Sequence, residues 1–130
     1  MAGGKMIYLN YTRYGGAVSH ADSTWSSLGK VNIYPKPSNS SNWNLTINEY
    51  NQNDGLCGKY ALGEIKLNVY YFANYNDWNR KSCVSHEFGH ALGIGDHDEE
   101  YNCIALLYKV VGCFISPQSH DKKDYYDRWQ

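Results

Sequence analysis

"SCVSHEFGHALGIGDHDEEYNC", residues 82–103, decides how this chain is read. It sets His86, Glu87 and His90 in the spacing H-E-x-x-H, then Gly93, then Asp96 and His97. On a helix drawn at about 100° per residue, Val84, Phe88, Ala91 and Leu92 form one stripe suited to a core. His86 and His90 fall on the opposite side, about 40° apart. Two imidazoles one turn apart on one face can reach a single ion of zinc size at about 2.0–2.1 Å each. Glu87 is rotated off that pair, placed to touch a ligand on the metal rather than the metal, as a general base should be. Gly89 keeps the ion side uncrowded, and Gly93 suits the helix stop because glycine accepts positive φ. The returning chain then brings Asp96 as a third donor. Two His and one carboxylate leave a fourth position for water.

H-E-x-x-H alone is a moderate signal; a Gly at the stop and an acid at the turn sharpen it greatly. Local rivals exist. His97 adjoins Asp96 and is an alternative third ligand. Cys83 lies one turn before His86 on nearly the same face, so a Cys83/His86/His90 site is geometrically open. Asp98, Glu99 and Glu100 read as a solvated loop or, with another oxygen donor, a Ca²⁺ site. His20 and His120 read as structural or surface residues.

The chain has 130 residues, one domain by size, with net charge -1 and 19% charged residues. Nothing in that balance argues for nucleic acid or an anionic membrane surface. No run approaches the roughly 18 apolar residues of a membrane helix. Aromatics reach 15%, chiefly through 13 tyrosines, a surface chemistry that favours an extracellular protein. Cys57, Cys83, Cys103 and Cys113 permit two disulfides. No signal peptide is visible, and the opening "MAGGKM" reads as an expression scar or a trimmed start. Asn10, Asn39 and Asn44 open glycosylation sequons that chance explains in so Asn-rich a chain.

Alternation predicts strands at 5–12, 31–35 and 45–51, the strongest at 64–72 with Ile65, Leu67, Val69 and Tyr71 on one face, and a weak edge at 56–63. Residues 15–30 predict a helix with Val18, Ala21, Trp25 and Leu28 on one face. The loop 73–79 predicts an N-cap at Asn79 for a helix over 79–93. Residues 94–118 read as mostly irregular. A closing helix over 119–129 has Ser119 as N-cap and Tyr125, Tyr126 and Trp129 turned inward. This order suggests a small α+β domain spanning 1–130.

"HEFGHALGIGDH" resembles the extended zinc motif of metzincin metalloproteases, with Asp96 where a third His usually stands. That variant is similar to the snapalysins, small secreted bacterial proteases whose third zinc ligand is an Asp. "GEIKLNVYYF", and "ALLYKVVG" followed by "ISPQSHDKKD", also look like small bacterial matrixin-type metzincins. The resemblance covers roughly residues 60–125; the first half matches only in the order of its elements. It implies a twisted, mixed, mostly parallel sheet with an antiparallel edge strand at about 57–63, which would bind a peptide by strand addition. It implies Zn²⁺ on His86, His90 and Asp96, and its spacing favours Asp96 over His97. Leu107 stands at the place of the family's Met-turn methionine, a swap of similar volume.

The resemblance therefore implies a secreted, monomeric zinc endopeptidase in which Glu87 takes the proton of a water on the metal and hands it to the leaving amine. Tyr108 could donate to the oxyanion, or simply pack. Cys57 with Cys83 would tie the edge-strand region to the site helix, and Cys103 with Cys113 would staple the loop after the motif. The competing reading is a non-catalytic binding module that keeps the metal for structure. The missing methionine favours that reading, and Glu87, which a structural site does not need, opposes it.

Overall fold

The computed structural model describes residues 4–95 and 114–130. Five strands form one sheet: β1 Lys5–Asn10, β2 Asn32–Pro35, β3 Leu45–Tyr50, β4 Gly58–Ala61 and β5 Glu64–Asn68, in the order β2-β1-β3-β5-β4. The pairs β1–β2, β1–β3 and β3–β5 are parallel, and β4 runs antiparallel to β5 at the edge. Among the described residues, four helices complete an α+β fold: α1 Gly15–Ser26, α2 Val69–Phe72, α3 Asp77–Ala91 and α4 Ser119–Arg128. No helix among the described residues is long and apolar enough to cross a membrane.

Alternation along the strands sends Met6, Tyr8, Ile33, Leu45, Ile47, Ile65 and Leu67 to one buried face. Val18, Ala21 and Trp25 of α1 and Val84, Phe88 and Ala91 of α3 join that core. Trp25 is fully buried and its indole N–H donates to the Ser85 carbonyl at 2.9 Å, which fastens α1 to the middle of α3. From α4, the buried Tyr125 hydroxyl accepts from the backbone N–H groups of Lys30 and Val31, both at 2.8 Å.

Several boundaries depart from the sequence expectation. The strand predicted over 64–72 ends at Asn68, and Val69–Phe72 turn into helix. The fully buried Asn68 causes this: its Oδ1 accepts from Tyr70 N and Gln52 N, and its Nδ2 donates to Gln52 O and Leu56 O. A side chain that caps a helix and holds a neighbouring loop cannot sit mid-strand, so Val69 and Tyr71 do not continue the Ile65–Leu67 face. The N-cap of α3 is Asn76 rather than Asn79: Asn76 Oδ1 accepts from Asn79 N at 2.8 Å, which makes Asn79 the third helical residue. Gln118 rather than Ser119 caps α4, in a box completed by Asp121, whose Oδ2 accepts from Gln118 N at 2.7 Å. Tyr126 is 41% exposed, not turned inward; its hydroxyl donates to Leu28 O. The first helix stops at Ser26, ahead of Gly29 at φ 87°, so Leu28 packs on the core from the turn beyond it.

The β4–β5 hairpin closes through Leu62 and Gly63, at φ 49° and 80°. Both central residues have positive φ, the type I′ requirement that matches strand twist. Leu62 meets it at a steric cost, with its side chain fully exposed.

Candidate metal centre

The centre is built on the C-terminal half of α3. Residues 82–89 are all buried, so the helix is covered on every side. The predicted stripe of Val84, Phe88, Ala91 and Leu92 is in the core. His86 is also buried, 4% exposed, and His90 is half-buried.

The two imidazoles meet edge to face, with Nε2 of His86 3.0 Å from Nε2 of His90. His90 Nδ1 lies 2.9 Å from the Ile94 carbonyl. A carbonyl only accepts, so His90 Nδ1 carries the proton, and in the neutral ring Nε2 keeps its lone pair. His86 Nε2–H then donates to it. With the His86 proton carried on Nδ1 instead, both rings would present an Nε2 lone pair on the side where the two nitrogens meet. A carboxylate oxygen of Glu87 lies within 4.8 Å of both His donor atoms.

The Ile94 carbonyl is held by the way α3 ends. Ile94 N donates to Gly89 O at 3.0 Å and Gly93 N to His90 O at 2.9 Å, a Schellman motif with Gly93 at φ 89°. The C-terminal helix reinforces it: Trp129 Nε1 donates to Leu92 O at 2.9 Å, and a Cβ on Gly93 would stand 2.9 Å from Arg128 Nε. The glycine read as a helix stop thus also aims a carbonyl at His90, the kind of outer contact that fixes a metal-ligating histidine.

This donor set fits zinc. Bonds of about 2.0–2.1 Å at a tetrahedral angle separate two nitrogens by about 3.3 Å, so the 3.0 Å pair needs only a small opening. Cys83 is excluded as a ligand here, because it forms a disulfide with Cys57. That bond ties the entry to β4 to the middle of α3, the pairing expected from the sequence.

Asp96 and its alternative His97 lie outside the described residues, as do Leu107, Tyr108, the acidic run 98–100, Cys103 and Cys113. His20 binds the Ile115 carbonyl at 2.6 Å through Nε2, and His120 is exposed on α4.

Three contributors escaped the sequence reading. The Ile94 carbonyl acts through its backbone and carries no side-chain signature. Asn68 and Gly58 act through contacts with segments distant in sequence. Asn68 orders the loop 52–56 that leads into β4. Gly58, buried on β4, lets that strand approach Glu87. Burial and the hydrogen bond to Asp54, with a smaller part from the charge of Glu87, push the Tyr50 hydroxyl up to about 12.

No protein-family model matches the chain, and no curated protein matches it.

Proposed function

We propose that the protein is a zinc-dependent endopeptidase of the metzincin type. The observation that carries the reading is the convergence of His86 Nε2 and His90 Nε2 at 3.0 Å with the Glu87 carboxylate beside them. His86 and His90 would hold Zn²⁺, and the motif spacing assigns the third place to Asp96. When bound, the ion supplies Lewis acidity, which lowers the pKa of a water and polarises a carbonyl. His90 is held in the ligating tautomer by the Ile94 carbonyl. Glu87 takes a proton from the attacking water onto a carboxylate oxygen and returns it to the leaving amine nitrogen. Its burial keeps bulk water from competing for that proton.

The substrate would lie along β4. Among the described residues this strand pairs only with β5, so its outer edge is the place where an extended peptide would add. The Cys57–Cys83 disulfide accords with an extracellular setting.

A structural zinc module predicts a different result. Purified protein loaded with Zn²⁺ should cleave casein, and a chelator should stop it. Protein that holds one equivalent of Zn²⁺ yet leaves casein intact would leave the binding module as the reading.

A further inference from the structure

We infer that Gly58 and the Cys57–Cys83 cystine are positioning groups that set the Glu87 carboxylate. The catalytic consequence rests on the peptidase reading above; the placement itself does not. Gly58 begins β4, where it pairs with Leu67, and Asn68 N donates to the carbonyl of the preceding Cys57 at 2.8 Å. A Cβ at residue 58 would stand 3.0 Å from the Lys66 carbonyl oxygen, 3.3 Å from Cys83 Sγ and 3.3 Å from Glu87 Cγ. The edge strand, the cystine and the stem of Glu87 therefore meet with no room for one more carbon. A carboxylate oxygen of Glu87 also lies within 4.8 Å of both sulfurs.

These three neighbours are not equally able to yield. The Lys66 carbonyl belongs to the backbone of the paired strand β5. The Cys83 sulfur is covalently tied to Cys57 and fully buried. Glu87 Cγ is the one atom of the three on a side chain with rotatable bonds and no covalent tie. An added methyl therefore presses on the stem of Glu87. In the wild type the glycine leaves that space unfilled, so the stem of Glu87 can pass beside β4. The cystine keeps that strand at a fixed distance from α3, so a short edge strand becomes a wall of the site.

The experiment is Gly58→Ala in the full chain. With Zn²⁺ loaded and an internally quenched peptide as substrate, kcat should fall about threefold to tenfold, because a 3.3 Å contact asks Glu87 Cγ to give by less than the roughly 1 Å that costs about 100-fold. KM should stay within about twofold, because the lost interaction is one made in the transition state. Zinc stoichiometry should be unchanged. Crystal structures of the metal-free wild type and variant should show Glu87 Cγ displaced from residue 58. Should the variant fail to fold, Cys57→Ala with Cys83→Ala removes the tie instead, and the same loss of kcat with zinc retained is expected. Unchanged kcat with Glu87 in place overturns the inference, as does loss of zinc together with activity. A wild type that binds Zn²⁺ and cleaves nothing overturns the peptidase reading instead, and the crystal comparison then decides alone whether residue 58 sets Glu87.

Discussion

Replacing Gly93 by Ala should weaken both the fold and the proposed metal site, and the two losses can be separated. Gly93 sits at φ 89°, where a residue with a Cβ costs roughly 1–2 kcal/mol. The added carbon would also lie 2.9 Å from Arg128 Nε. That contact is the less costly part, since Arg128 is exposed and its guanidinium, stacked on Trp129 at 4.8 Å, can swing away. The expected destabilisation is therefore about 1–2 kcal/mol, a sizeable share of the roughly 5–15 kcal/mol that holds a typical domain. It should appear in urea denaturation as a lower midpoint with an unchanged slope. The second loss follows from the Schellman hydrogen bonds. If the turn opens to relieve the added methyl, the Ile94 carbonyl withdraws from His90 Nδ1 and the ring is no longer held. Losing an outer-shell partner of this kind costs about 10–100-fold in metal affinity, measured here by competition with a zinc dye. Gly93→Asn, which tolerates the left-handed region better, should lose less of both. Full stability in Gly93→Ala would refute the left-handed stop. Reduced stability with unchanged zinc affinity would refute the link from Gly93 through Ile94 to His90.

Other consequences are more local. Leu62→Asn should stabilise the chain by about 0.5–1 kcal/mol, because Leu62 is fully exposed at φ 49° in a turn that favours Asn at its first central position; a lower denaturation midpoint would contradict the type I′ assignment. At high pH, burial and the Asp54 hydrogen bond push Tyr50 up to about 12, and burial and the Asp22 hydrogen bond raise Tyr8 further still. A folded-state pKa above the unfolded value of 10.0 means their contribution is whole below about pH 10 and is lost as pH rises, through about 12 for Tyr50 and higher for Tyr8. Phenolate absorbance should therefore show a late step above about pH 10 that coincides with unfolding. All the tyrosines ionising in one wave near pH 10 with the circular dichroism still native would refute this.

The parts of the molecule set by local pattern were legible in the sequence. The stripe of Val84, Phe88, Ala91 and Leu92 is buried where helical periodicity put it, and Gly93 stops the helix with the positive φ that only its residue type takes cheaply. The strands at Leu45–Tyr50 and Lys5–Asn10 follow alternation. Failures came where a polar side chain spent its hydrogen bonds at a distance. Asn68 interrupts an otherwise regular alternation because it serves the loop 52–56, sixteen residues earlier at Gln52. "ANYNDWN" holds three asparagines, and periodicity alone does not say which accepts the capping N–H; Asn76 does. Gln118 takes the cap from Ser119 because Asp121 can close a box back onto it. At the site, H-E-x-x-H announced the His pair with Glu87 beside it. The crowding of Gly58 against Glu87 is a contact between a strand and a helix, and no spacing in the chain encodes it.

The central claim is that Glu87 does chemistry at a zinc ion held by other residues. Zinc content and peptide turnover, measured side by side on wild type, Glu87→Ala and His90→Ala, test it most directly. The account predicts one bound Zn²⁺ and active proteolysis in wild type, one bound Zn²⁺ with activity reduced by about 10²-fold or more in Glu87→Ala, and loss of both in His90→Ala. Full proteolysis by zinc-loaded Glu87→Ala would contradict it.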